Sequence, residues 1–148
     1  ANIALGCRHI LYSRSKDLIN WSTPRLISCD PAFDVSNKQN FYYAAVYPIK
    51  DKYIAFPPHF TNKIWDEAGT RRDYNDACTH VMISNDGFNW KTVDKIFQSS
   101  TGGHMTFPHV VSFEQNEQYT LYVHEGFGTD DNKLVSYKVR KEEIECFL

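Results

Sequence analysis

Acid and base chemistry needs carboxylates and imidazoles that a fold can draw out of water, and this 148-residue sequence holds a small set of them in turn-rich stretches. The candidate catalytic carboxylates are Glu125 and Asp73. Either serves as acid or base if a desolvating pocket raises its pKa, and either is an ordinary solvated loop carboxylate if none does. Asp73 falls in the stretch 57–78, long for a connection between strands, together with His59, Trp65, Arg71 and Arg72. The two arginines could hold a carboxylate or sulfate through bidentate hydrogen bonds, with a surface ion pair to Asp73 as the plainer reading. A second stretch holds His124, Glu125, Asp130 and Asp131, and a third brings Gly102, Gly103 and His104. Tyr42, Tyr43, Trp65 and Phe127 offer aromatic faces for a ligand, although strand interiors also need aromatics and core packing is the favoured reading for the two tyrosines. The expected ligand-contacting residues are His104, His59, Arg72, Tyr43, Trp65 and His124.

Metal chemistry is not expected. The histidines are dispersed, without the i, i+4 spacing of a helical metal site, and His80 and His109 fall inside strands as packing residues. Cys7, Cys29, Cys78 and Cys146 contain no CxxC pair, which argues against a zinc site or a dithiol redox motif. They read as isolated buried thiols, with disulfides left open by the even count. No cofactor of any kind is expected.

The elements that must position these residues are strands. Aromatic and β-branched residues are abundant and short apolar stretches alternate with turn residues, giving strands over 4–13, 24–28, 42–48, 53–56, 79–84, 92–97, 107–113, 119–124 and 133–140. No segment has sustained helical periodicity, so the class is all-β. One pattern repeats: Ser15-Lys16-Asp17-Leu18-Ile19-Asn20-Trp21 and Ser84-Asn85-Asp86-Gly87-Phe88-Asn89-Trp90 share S-x-D-x-x-N-W. A short Asp side chain closes a tight turn by accepting backbone N–H bonds two or three residues on, and the Trp covers it. Asp17, Trp21, Asp86 and Trp90 are therefore structural turn elements. The identical context of the two aspartates argues against reading them as a catalytic pair.

Aligning on these turns predicts a partial β-propeller of about two and a half four-stranded antiparallel blades: the end of one blade over 1–28, a complete blade over 41–97 and the start of a third over 104–148. Radial repeats close with about four to eight blades, so such a chain needs either the remaining blades of a longer parent chain or self-association. The absence of an initiator Met and the apolar end Cys146-Phe147-Leu148 fit a piece of something longer. A formal charge of -2 with scattered Lys and Arg excludes a phosphate-tracking stripe, so no nucleic acid is expected. With no long apolar run, no membrane span is expected, and the first residues lack the order of a signal peptide.

The turn Ser15–Trp21 followed by Ser22-Thr23-Pro24, the stretches Asn40-Phe41-Tyr42-Tyr43 to Tyr47-Pro48 and Tyr53-Ile54-Ala55-Phe56-Pro57, and Met82-Ile83-Ser84-Asn85-Asp86-Gly87 resemble the five-bladed glycoside hydrolases of the invertase/fructosidase and arabinanase/xylosidase groups, as an uncharacterised branch. The resemblance covers most of the chain. It implies a central funnel where paired carboxylates hydrolyse a glycosidic bond, and aromatic stacking on sugar rings. The sequence departs from it at two places. Tyr42-Tyr43-Ala44 stands where the invertase-like enzymes carry Arg-Asp-Pro, and Thr106-Phe107-Pro108 where they carry Glu-Cys-Pro. Those carboxylates are missing, which keeps open a non-catalytic carbohydrate-binding or scaffolding propeller as the alternative. The turn is Asp-box-like, but the sialidase Asp-box has a Gly between Asp and Trp at a different spacing, and a sialidase arginine triad has no counterpart here.

Overall fold

The computed structural model describes residues 8–32, 39–42, 46–61, 77–96, 105–115, 118–127 and 130–148. Its elements are almost all strands: β1 (Leu11–Tyr12), β2 (Arg25–Leu26), β3 (Ser28–Asp30), β4 (Gln39–Phe41), β5 (Val46–Ile49), β6 (Lys52–Ala55), β7 (Pro58–Thr61), β8 (Cys78–Ser84), β9 (Asn89–Ile96), β10 (Met105–Gln115), β11 (Gln118–Phe127) and β12 (Lys133–Arg140), followed by one short helix, α1 (Lys141–Glu145). The all-β expectation holds.

Three sheets are formed among the described residues. β1 and β2 make a hairpin, β10-β11-β12 make an antiparallel meander, and the remaining strands make a central sheet in the order β3-β9-β8-β6-β5, with β7 also on β8 and β4 on β7. β6 and β7 lie on β8 in one unbroken register, from Tyr53↔Ser84 to His59↔Cys78. Pro57 and Pro58 separate the two strands because neither has an N–H to donate. Their carbonyls are still used, by His80 N–H on one side (3.0 Å) and Tyr42 N–H on the other (3.0 Å). β3 runs parallel to β9, a pairing that hydrophobic pattern alone does not announce.

Both faces of the central sheet are covered, which is why β8 is apolar or buried along nearly its whole length. Successive side chains of a strand point to opposite faces. Ile54, Phe56 and Val81 accordingly meet Leu121, Val123 and Ile144 from β11 and α1. Ala55, Met82 and Trp90 pack instead with Ile27, with Cys29 of the neighbouring β3 and, from the hairpin side, with Ile10 and Tyr12.

The one short helix is consistent with a sequence lacking sustained helical periodicity, since a single turn carries none. Its single turn is held by Arg140, whose backbone N–H and guanidinium both donate to the Glu143 carboxylate (2.9 and 3.0 Å), and by burial of Ile144. Lys50 reaches it from the β5–β6 turn through an ion pair with Glu145 (2.9 Å). The helix therefore lies at the β5–β6 turn end of the central sheet. No helix among the described residues is long and apolar enough to cross a membrane.

Candidate functional site

The two Asp/Trp turns share one geometry. Asp17 Oδ1 accepts the N–H groups of Ile19 (2.9 Å) and Asn20 (2.8 Å), and Asp86 Oδ1 accepts those of Phe88 (2.9 Å) and Asn89 (2.8 Å). The second oxygen of each takes the amide of Asn20 (2.7 Å) or Asn89 (2.6 Å). Each indole N–H donates to the carbonyl of the residue immediately after the turn's Asp, Trp21 to Leu18 (3.3 Å) and Trp90 to Gly87 (2.9 Å). Leu18 (φ 62°) and Gly87 (φ 75°) both sit in the left-handed region that the turn demands.

These bonds stabilise charged carboxylates. The backbone N–H of Asn20 leads in holding the Asp17 carboxyl far below the usual range, and the N–H groups of Asn89 and Phe88 hold Asp86 down to about 2. A depressed folded-state pKa contributes stability above the unfolded value and loses it as the pH falls through the folded one. Asp86→Ala therefore costs about 1 kcal/mol near neutral pH. The difference from the parent protein narrows as the pH drops from about 4 towards 2. Urea unfolding of both proteins across that range checks it, and a gap that stays constant into acid would refute the charge-based account.

Both turns lie at one end of the sheets. The Asp86 turn closes β8 onto β9, beside the β5–β6 turn. The hairpin is oriented the same way, since Tyr12 packs on Phe88 (5.6 Å between rings) while Arg8, further back, accepts the Phe41 N–H on its carbonyl (2.9 Å). A cavity of about 320 Å³ beside Ser84, Asn85 and Trp90 belongs to this turn end.

The opposite end gathers the reactive side chains. Phe41, His59 and Cys78 are lateral neighbours on β4, β7 and β8, because the register pairs Phe41↔His59 and His59↔Cys78. His80 follows Cys78 by two residues, on the same face of β8. His59 Nδ1 lies 3.7 Å from Cys78 Sγ, the two imidazole rings are 4.9 Å apart, and Phe41 packs edge-on against His80 at 4.9 Å. His59, Cys78 and His80 are each less than 8 % exposed. Burial first, then the neighbouring His59 and Lys95, pulls the His80 imidazole down to about 3, so it is neutral at physiological pH. The set offers imidazole nitrogens and a thiol, the donors that borderline-soft cations accept.

On the meander, at the corresponding end of β11, His124 Nε2 lies 2.7 Å from Asn132 Oδ1. Glu125 points to the other face, where the Tyr137 hydroxyl donates to Oε1 and Lys133 lies 3.5 Å from Oε2. That bond from Tyr137 raises the phenol's own pKa. Of the expected site residues, His59, His124 and Glu125 thus lie at the end away from the Asp/Trp turns, His59 within the buried cluster. Asp73, Arg71, Arg72, Trp65, Tyr43 and His104 lie outside the described residues. Cys78 and His80 entered the sequence reading only as a thiol and a packing residue. The signal that could have joined them is Cys-x-His inside a strand, which places both on one face.

No family model and no curated protein matches the chain. Among solved structures it is similar to an N-acetylgalactosamine deacetylase from F. plautii in complex with blood group B trisaccharide, with a TM-score of 0.55 and 14 % sequence identity. The match covers 92 % of this chain and 42 % of that one, so the chain spans less than half the length of the protein it resembles. At that identity the likeness is one of fold.

Proposed function

We propose that the chain is part of a glycan-acting β-propeller, with stacked blades of which the central sheet is one, and that its ligand is met at the end of the sheets opposite the Asp/Trp turns. The observation that carries this reading is the separation of the two ends. The local turn devices occupy one end, while His59, Cys78, His80, His124 and Glu125 stand at the other. Connections at the end of a rigid sheet scaffold are where binding residues are usually placed. The fold likeness to a protein crystallised with a blood group trisaccharide supports a carbohydrate as the ligand class.

Within that reading Glu125 is the acid or base of a glycosidic hydrolysis, with Asp73 as its partner carboxylate. A second reading, a non-catalytic carbohydrate-binding module, is favoured by one specific feature. Both oxygens of Glu125 are already engaged, by Tyr137 and Lys133, as in a structural pair within a sheet. The two separate in a glycan array run beside a chromogenic-glycoside screen of the full-length protein and its Glu125→Gln variant. We expect turnover in the parent, reduced at least about 100-fold in the variant, as for loss of a general acid or base. Binding without turnover would establish the second reading, and neither binding nor turnover would overturn the carbohydrate assignment.

A further inference from the structure

We propose that His59, Cys78 and His80 form a Cys-His₂ site for a divalent cation of borderline softness, Zn²⁺ by its donor set. This goes beyond the glycan reading and does not depend on it.

Strand register alone brings the three residues together. His59 and Cys78 are directly opposite on β7 and β8, and Cys78 and His80 are the two same-face neighbours along β8. One ligand atom from each lies within 4.8 Å of the others. A tetrahedral zinc with Zn–N of about 2.0–2.1 Å and Zn–S of about 2.3 Å holds its ligand atoms roughly 3.3–3.8 Å apart. The 3.7 Å between His59 Nδ1 and Cys78 Sγ is already in that range. The separations that remain close by about 1 Å, within reach of the side-chain torsions.

The second observation is polar satisfaction. His80 is 7 % exposed, and neither of its ring nitrogens has a hydrogen-bond partner among the described residues. A buried polar atom left without a partner costs about 1–3 kcal/mol, and a bound ion is one of the few ways to account for it. The donor types then select the cation. A thiolate with two imidazoles suits zinc and excludes Mg²⁺ and Ca²⁺, which require oxygen ligands. Three protein ligands are also the count that leaves a fourth position for water or a ligand oxygen. Binding is not redox: Cys78 coordinates as thiolate, its thiol proton passes to solvent, and the imidazoles supply lone pairs.

The test is a titration of the chelator-treated full chain with Co²⁺, followed by Zn²⁺. We expect about one equivalent of Co²⁺ to give a thiolate-to-cobalt charge-transfer band with tetrahedral visible bands, to release about one proton near neutral pH, and to be displaced by Zn²⁺. Cys78→Ser removes the charge-transfer band and weakens Co²⁺ binding at least about tenfold. His80→Gln weakens it similarly, while Cys29→Ser changes neither. Circular dichroism of each metal-free variant controls for folding, and the near-isosteric Cys78→Ser keeps the test decisive if His80→Gln fails to fold. A folded parent chain that binds no Co²⁺, or a thiolate band that survives Cys78→Ser, would overturn the proposal.

Discussion

Trp90→Ala is expected to lower the unfolding free energy by about 3–5 kcal/mol, and Trp21→Ala by less than about 1 kcal/mol, although the two residues occupy the same place in the same turn. Both indoles close their turns through the same N–H to carbonyl bond. What differs is the cover. Trp90 is 5 % exposed among Ile27, Ala55 and Met82, with Cys29 of the adjacent β3 and, from the hairpin side, Ile10 and Tyr12 against it, whereas Trp21 is 58 % exposed. Phe88 repeats the contrast, being packed by Tyr12 and by the Arg25 guanidinium 4.5 Å from its ring centroid, while its counterpart Ile19 is 81 % exposed. Denaturant unfolding of the two variants measures the difference directly. Equal costs would mean that the turn bond, and not the covering hairpin, sets the value of the tryptophan.

Phe56→Ala is the second large effect, also about 3–5 kcal/mol, because the ring is 1 % exposed at the seam between the central sheet and the meander. Its loss leaves a cavity facing Leu121 and Val123 that rigid neighbours on two sheets fill only in part. The two substitutions act on opposite faces of one sheet, which gives them different signatures in hydrogen exchange. Phe56→Ala should raise exchange first in β11 and β12, and Trp90→Ala first in the segment from Ile10 to Ile27. The same pattern from both would show that the three layers open as one unit.

The agreement between sequence and structure is strongest where the forces are local. The S-x-D-x-x-N-W repeat is legible because every hydrogen bond of the turn spans three residues or fewer, so the residue types and their spacing carry the whole geometry. The strand over 79–84 is legible for a related reason, since Thr79, Val81, Met82 and Ile83 make four of its six residues apolar or β-branched. The short helix after Arg140 was not legible. One turn carries no periodicity, and its cap depends on a guanidinium, which lies outside the usual capping residues.

The candidate site divides along the same line. From the sequence alone came the all-β class, the two turns and the structural role of Asp17 and Asp86, all consequences of side-chain alternation and of bonds between near neighbours. Only the tertiary structure decided that Trp90 is covered and Trp21 is not, that both oxygens of Glu125 are held within the meander, and that His59 meets Cys78 and His80. Alternation says which face a side chain takes but not which strand lies beside it. That choice is made by the register that pairs His59 with Cys78, 19 positions further along the chain, and register is set by packing on both faces of the sheet together.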